Sequence, residues 1–212
     1  MVATLFPYKL FHGTSSHYSA AFPIGGVVSA WPYKKDALGL YREIWKELCL
    51  AGIEPDWTER GVLEERSNGG ANWQHGELFV SPSRKTAKRY ATSWAEHGGE
   101  LLSRSVLALD RLKCVNPDVE GYIRRRFKPL AHLLAGGGSP LMVEFTGAAM
   151  AGLSPESLEL SNRENRMRLS LDYLEGAKHL SEDDFDQDTQ QINFRLDPGA
   201  AIIAHLYKIG EV

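Results

Sequence analysis

The sequence has 212 residues, which fits one domain, and its 43% apolar and 24% charged residues are ordinary for a globular protein. A formal net charge of −3 provides no general attraction for nucleic acid or an anionic membrane. The longest apolar runs are far shorter than the roughly 20 residues that cross a bilayer. We therefore expect a single cytoplasmic domain over residues 1–212, with no membrane partner.

The residue types that bind metals are scattered. Cys49 and Cys114 are far apart, so we expect buried free thiols in a reducing compartment rather than a disulfide. The seven histidines show no pairing that suggests zinc. The acidic run from Glu182 to Asp188 lacks the spacing of a calcium loop and predicts a solvated loop. No metal is expected.

The first third of the chain predicts one strand and one long helix. The run Tyr8–His12 is rich in β-formers and closed by Gly13, and a helical turn is expected over Ser15–Phe22. The segment Lys34–Ala51 predicts a helix, because apolar residues recur at steps of three and four: Leu38, Tyr41, Ile44, Trp45 and Leu48. The polar stretch Glu59–Gly76 predicts a loop.

Strands and helices follow one another through the rest of the chain. Strands are predicted over Glu77–Ser81, Leu102–Leu109, Leu141–Phe145, Ile192–Leu196 and Ala201–Tyr207. Helices are predicted over Ser83–Glu96, Val119–Leu134 and Asn162–Lys178. Strands early and late with helices between them favour an α+β fold over a doubly wound parallel sheet.

Two segments carry the chemistry. In the first, Leu10–Ser15, His12 ends an apolar strand and so places an imidazole at the rim of a sheet. The adjacent Gly13 would let a planar ligand approach the backbone closely. Alone, a His-Gly-Thr sequence arises easily by chance.

The second segment, Glu77–Ala91, is a strand that turns sharply into a helix. The strand contains Phe79, and the helix presents Tyr90 on its second turn. The alternative interpretation is a plain amphipathic helix in which Tyr90 packs inward and the basic residues are solvated. Trp73, shortly before the strand, is a further candidate for stacking on a ligand.

Together, in this order, the two segments resemble the ADP-ribosyltransferase superfamily, in the branch whose signature is His, Tyr and Glu. The resemblance covers about half of the chain. It implies an α+β fold with a split antiparallel sheet and helical insertions, and NAD as substrate without a metal. It also implies that His12 contacts the adenine-side ribose of NAD and that the backbone of Gly13 pairs with the nicotinamide amide.

The resemblance implies further NAD-binding residues. Thr14 completes the histidine motif, Phe79 stands where the family usually has tyrosine, Ser81 is the small residue after the strand, and Tyr90 is the helical aromatic beside the nicotinamide. The phosphates of NAD require a cation, which Arg84 or Arg89 would supply.

The third signature position departs from the family. It falls in Asp188–Asp197, where alternation and register put Gln191 closest to the family's glutamate. An amide can hydrogen-bond a ribose hydroxyl but cannot act as a base. The carboxylate could instead come from Asp186, Asp188 or Glu144.

Three functions follow from the resemblance. The first is a mono-ADP-ribosyltransferase of toxin or effector type, delivered into a target cell, with a protein or nucleic-acid acceptor and a neutralising antitoxin as partner. The second is an RNA 2′-phosphotransferase, whose several-arginine signature is not evident. The third is a non-catalytic NAD-binding module, which Gln191 in place of glutamate favours. The basic stretch Arg124–Lys128 is either a solvated helix face or a surface for an acidic acceptor.

Overall fold

A computed structural model describes residues 4–28, 33–64, 67–68, 71–72, 77–156 and 163–210. The helices are α1 Lys34–Leu50, α2 Trp57–Leu63, α3 Arg84–Trp94, α4 Glu100–Val115, α5 Pro117–Arg126, α6 Ala131–Leu134, α7 Arg163–Ala177 and α8 Glu182–Asp188. The strands are β1 Leu10–Ser15, β2 Ser67–Asn68, β3 Ala71–Asn72, β4 Leu78–Val80, β5 Pro140–Thr146, β6 Leu153–Pro155, β7 Phe194–Leu196 and β8 Ile202–Lys208. Short 3₁₀ turns cover Ser16–Ala21, Lys128–Leu130, Met150–Gly152 and Thr189–Gln191.

Two three-stranded antiparallel sheets and the two-stranded sheet β2-β3 form the β part of the described fold. The strand order is β1-β5-β8 in one three-stranded sheet and β4-β7-β6 in the other. They meet at a single antiparallel bridge in the described part of the chain, where Phe11 and Ser81 exchange backbone hydrogen bonds of 2.7 and 2.9 Å. Beyond this bridge β1 and β4 diverge. The mixed helix-and-sheet architecture confirms the expected α+β class.

Helices α1 and α4 pack against each other and form the helical side of the core. The apolar face predicted for α1 is buried, and Tyr41, Ile44, Trp45 and Leu48 are at most 1% exposed. Burying a large apolar side chain stabilises a fold by about 1.5–3 kcal/mol, so this one helix face is a major source of stability. The long helix was predicted with nearly its observed ends.

The strand predicted over Leu102–Leu109 is wrong, because these residues belong to α4. The buried positions of α4 recur every three or four residues: Leu101, Leu102, Ser105, Ala108, Leu109 and Leu112. A strand on a sheet face would bury alternate residues instead. The run Val106–Leu109 resembles a strand only when it is read without its neighbours.

The loop predicted over Glu59–Gly76 is also wrong in part. Helix α2 begins at a capping box in which Asp56 accepts from the backbone of Glu59, and the Glu59 carboxylate accepts from the backbone of Asp56, both at 2.8 Å. This pair is a known helix-start signal that the polar composition of the stretch obscured. Strands β2 and β3 pair further along. Trp73 lies outside the described residues.

A dense set of polar contacts fixes the start of α3. The side chain of Ser83 caps the helix, accepting from the backbone N–H of Thr86. Its hydroxyl donates to the backbone oxygen of Asp186 at 2.7 Å, and the Asp186 carboxylate accepts from the N–H of Arg84 at 2.6 Å. The acidic run is therefore not a solvated loop: it forms α8, which is anchored on α3.

Helix α3 lies directly against strand β1. A Cβ atom built at Gly13 would stand 1.9 Å from the backbone oxygen of Ala87 and 2.7 Å from the nitrogen of Ala91. Carbon atoms do not approach a backbone oxygen so closely, so only glycine allows this contact between helix and strand. The absence of a side chain at Gly13 therefore accommodates α3.

Two expectations drawn from composition can be compared with the structure. Cys49 and Cys114 are free, as expected, but they are exposed rather than buried, since each lies beside the buried stripe of its helix and not within it. Among the described residues, no helix has both the length and the apolar character needed to cross a bilayer.

Replacing Gly13 with alanine tests the contact between α3 and β1. Because the added methyl group meets backbone rather than a mobile side chain, Gly13→Ala should destabilise the fold by about 3 kcal/mol, the upper part of the range for overpacking. Gly39→Ala is the matched control: its Cβ would make ordinary contact with Phe127 at 3.5 Å, in the middle of α1. That variant should gain up to about 1 kcal/mol from helix propensity. Urea denaturation measures both, and equal midpoints for Gly13→Ala and the unsubstituted protein would contradict the close contact.

Candidate functional site

A cavity of about 270 Å³ opens where β1 and β4 diverge. Its walls come from β1, β4, α3 and the loop that leads into α4. The residues predicted from the two sequence segments that line it are His12, Gly13, Thr14, Phe79, Ser81 and Tyr90. Segments that are far apart in the sequence thus meet around one space.

His12 is held in a defined orientation and protonation state. Its Nδ1 lies 2.7 Å from the backbone oxygen of Phe79, and a carbonyl oxygen can only accept, so Nδ1 carries the proton. Burial lowers the pKa of His12 to about 4, against which the hydrogen bond to Phe79 acts only weakly. At neutral pH the imidazole is therefore uncharged, and its Nε2 is a hydrogen-bond acceptor.

The backbone of Gly13 faces the cavity edge of β1. Along a strand, the N–H and C=O groups of residues i and i+2 point to the same side. The N–H and C=O groups of Phe11 both point toward Ser81, so those of Gly13 point to the same side of β1. At Gly13 the two strands have already diverged, so these groups face the cavity. This arrangement can pair with a planar amide that has both a donor and an acceptor.

Ser81 joins the cavity wall to the second sheet. Its buried hydroxyl donates to the backbone oxygen of Ile192 at 2.8 Å and accepts from the N–H of Ser83 at 3.2 Å. Both contacts hold the turn from β4 into α3. Ser81 therefore shapes the cavity, with its hydroxyl engaged by the protein itself.

Tyr90 projects from α3 into the mouth of the cavity and is 51% exposed. Partial burial raises the pKa of its hydroxyl, and the negative charges of Glu100 and Glu156 raise it further. The side chain is therefore a neutral phenol at physiological pH. Its ring is available for stacking, contrary to the interpretation of Tyr90 as an inward-packed core residue.

Arg84, which was expected to bind a phosphate of NAD, does not line the cavity. Its guanidinium lies 5.3 Å from the ring centre of Phe11 and 5.6 Å from that of Tyr207, and pairs with Glu182 at 2.6 Å. The guanidinium of Arg84 lies over the ring of Phe11, and Phe11 and His12 are consecutive residues of β1. Since consecutive strand residues project to opposite faces, Arg84 lies on the face of β1 opposite His12. Arg89 lies in the second turn of the same helix, next to Tyr90.

Gln191 does not line the cavity either. It ends the 3₁₀ turn Thr189–Gln191 and is exposed, whereas Asn193 is a lining residue. The prediction extended the alternation of a strand back to Gln191, but the strand begins only at Phe194. Because Gln191 lies in a 3₁₀ turn, strand alternation does not extend to it, whereas Asn193 directly precedes β7. Of these two amides, that of Asn193 is therefore the one that lines the cavity.

The three alternative carboxylates also lie outside the cavity lining. Asp186 caps α3, and Asp188 is exposed, with its backbone oxygen 3.5 Å from the hydroxyl of Tyr173. Glu144 is buried on the face of β5 that packs toward α3. Its carboxylate accepts from the hydroxyl of Tyr207 at 2.7 Å and pairs with Lys9 at 2.9 Å.

The ionisation of Glu144 is explained by these contacts. Burial alone would raise its pKa, but the hydrogen bonds from Tyr207 and Lys9 outweigh burial and lower it. Glu144 is therefore a paired structural carboxylate and not a base facing a ligand.

The carboxylates that line the cavity were missed by sequence reasoning. They are Glu77, Glu100 and Glu156, and among the described lining residues no lysine or arginine accompanies them. Glu100 is paired with Arg104 at 2.8 Å. Glu156 follows β6, a three-residue strand too short to give a periodic signal. The negative lining favours a cationic group in the cavity.

Comparison with known proteins adds no relative. No family model matches the chain, and no curated protein or solved structure does so either. Among the described residues, no group of three or more metal-binding side chains is close enough to hold a metal ion.

The buried, neutral state of His12 predicts how stability depends on pH. In the unfolded chain His12 binds a proton near pH 6.5, but in the folded protein only near pH 4. The unfolded state therefore binds more protons between these values, so this contribution is complete above pH 6.5 and is lost as the pH falls toward 4. The loss should reach up to about 3 kcal/mol.

His12→Asn is the variant for this measurement, because its amide can still donate to the oxygen of Phe79 but does not titrate. Urea denaturation at pH 7 and pH 4.5 should show a smaller loss of stability on acidification for His12→Asn than for the unsubstituted protein. Parallel losses in the two proteins would mean that His12 is not held neutral.

Proposed function

We propose that the chain is an NAD-dependent mono-ADP-ribosyltransferase that transfers ADP-ribose to a macromolecular acceptor and releases nicotinamide. One observation carries the proposal: a single cavity gathers His12, Gly13, Phe79 and Tyr90 from two segments that resemble the NAD-binding motifs of that family. Each segment alone is a weak signal. Chance resemblances would have no reason to converge on one space.

The fold is compatible with this proposal. The resemblance implies a split antiparallel sheet, and the two sheets described above touch only at the Phe11–Ser81 bridge before they separate. The cavity lies in the split. An extended sheet with β1 and β4 paired along their whole length would leave no room for a ligand between them.

The chemistry of the cavity suits the nicotinamide end of NAD. The oxidised nicotinamide ring carries a positive charge, which the acidic lining and the faces of Phe79 and Tyr90 stabilise. The carboxamide offers a donor and an acceptor to the backbone of Gly13, and a ribose hydroxyl can donate to Nε2 of His12. An uncharged His12 avoids repulsion of the cationic ring.

The rest of the dinucleotide lies toward the open mouth. A volume of about 270 Å³ is at the small end of ligand cavities and holds only part of NAD. With Arg84 on the opposite face, Arg89 is the remaining candidate cation for the phosphates. The acidic lining also disfavours an RNA 2′-phosphotransferase, because the substrate of such an enzyme brings an additional anionic phosphate into the cavity, where the carboxylates would repel it.

The acceptor class follows from the family resemblance and not from the cavity. We propose a protein or nucleic-acid acceptor, a toxin- or effector-type role, and a neutralising antitoxin as a possible partner class. A second candidate is a non-catalytic NAD-binding module, which is favoured by the amide of Asn193 in the segment where the family has a carboxylate.

Labelled NAD separates these functions. With NAD labelled on the adenosine, a transferase should leave label on a macromolecule in a cell lysate and release nicotinamide. Release of nicotinamide without bound label indicates NAD hydrolysis, and calorimetric NAD binding without either indicates the binding module.

Tyr90→Ala should weaken NAD binding about fivefold or more, because it removes a stacking contact of about 1 kcal/mol, and Tyr90→Phe should have only a mild effect on NAD binding. Because Tyr90 is half exposed, unchanged binding in a folded Tyr90→Ala protein would refute this placement of the ring.

Turnover should depend on the amide of Asn193 and not on that of Gln191. We expect Asn193→Ala to lower turnover by a few hundredfold, the loss of about 3–4 kcal/mol for one hydrogen bond made mainly in the transition state, with little change in NAD affinity. Gln191→Ala is the matched control, since it removes an exposed amide two residues away. Steady-state kinetics of nicotinamide release measure both. A silent Asn193→Ala together with a damaging Gln191→Ala would restore the register first expected from the sequence.

A further inference from the structure

Glu156 lies beside Asn193 on the neighbouring strand. Residues Pro155 and Phe194 are paired across β6 and β7, so the antiparallel register brings Glu156 opposite Asn193. A hydrogen bond of 3.0 Å from the N–H of Glu156 to the backbone oxygen of Asn193 continues the ladder by this step. Both residues line the cavity.

Residues directly opposite each other in an antiparallel pair project to the same face, with Cβ atoms about 4.5–5.5 Å apart. The glutamate side chain is one methylene longer than that of asparagine. Its carboxylate can therefore approach the space in front of the Asn193 amide. The effect of its negative charge on the hydroxyl of Tyr90 agrees with this position near the mouth of the cavity.

We propose that Glu156 is the catalytic carboxylate of this chain, supplied from the strand next to the one on which the family places it. This inference rests on the proposed function. Of the other two lining carboxylates, Glu100 begins α4, and Glu77 precedes β4 at the end remote from Ser81. Of the three, only Glu156 is opposite Asn193 in the sheet.

The reaction assigned to Glu156 is the substitution at the nicotinamide-side ribose. The bond between C1′ and the nicotinamide nitrogen breaks, and its electron pair goes to that nitrogen, which neutralises the ring. The carboxylate stabilises the positive charge that develops on the ribose. The hydroxyl or amine of the acceptor, or water, then bonds to C1′, and its proton passes to the carboxylate and on to solvent. Asn193 orients a ribose hydroxyl by a neutral hydrogen bond.

Isosteric removal of the charge tests the assignment. Glu156→Gln should lower kcat for nicotinamide release about 100-fold or more, as expected for loss of a catalytic base, while the calorimetric Kd for NAD weakens far less, through loss of one charge from the acidic lining. Glu96→Gln is the control, because Glu96 is exposed and outside the cavity lining, and it should keep full activity.

A second variant distinguishes catalysis from a structural role. The double variant Asn193→Glu with Glu156→Gln transfers the carboxylate from position 156 to position 193, and it should recover part of the turnover that Glu156→Gln loses. If Glu156 had only a structural role, the double variant would recover no turnover. Full turnover in Glu156→Gln overturns the assignment, as does a loss of turnover in Glu100→Gln that Glu156→Gln does not share. Either result leaves the transferase proposal standing. NAD binding without nicotinamide release by the unsubstituted protein overturns both the assignment and the transferase, and absence of NAD binding refutes the proposed function altogether.

Discussion

Two backbone hydrogen bonds between Phe11 and Ser81 hold the two sheets together, and the position of the cavity depends on them. If β1 and β4 were paired further along, the backbone of Gly13 would be used inside a sheet. If they were not paired at all, nothing would bring His12 to the carbonyl of Phe79. One bridge followed by divergence gives both the fixed imidazole and the open strand edge. A backbone interaction of this kind is insensitive to side-chain identity, so the cavity walls can vary in sequence without loss of the cleft.

The cavity combines neutral polar groups, His12 and Tyr90, with the negative charges of the lining glutamates. Burial keeps His12 uncharged, and the pKa of Tyr90 is raised above the usual value of a phenol, so one offers an acceptor and the other an aromatic face with a hydroxyl. The charges come from glutamates that are only partly buried, so the desolvation cost of each carboxylate is small. Among the described lining residues, a cationic ring therefore meets no fully buried charge.

How far the sequence allowed prediction depended on the range of the interactions involved. The periodicity of α1 and the cap at Ser83 are local patterns, and both elements formed where they were expected. The register at Asn193 is different: Gln191 and Asn193 have the same parity, so alternation cannot choose between them. Only the pairing of β7 with its neighbours does so. The relation of Glu156 to Asn193 is likewise a property of the sheet, and no pattern along the chain reveals it.

The start of α3 has a consequence for anion binding. The first turn of a helix exposes N–H groups and carries a partial positive charge, and it is a natural place for a phosphate. Here the carboxylate of Asp186 already occupies that place, bonded to the N–H of Arg84 at 2.6 Å, and Glu182 neutralises the Arg84 guanidinium beside it. The protein thus fills its own anion-binding helix end with a tethered carboxylate. A phosphate, whether free or part of a nucleotide, therefore meets a carboxylate at this helix end, and Arg89 is the candidate cation that remains for it.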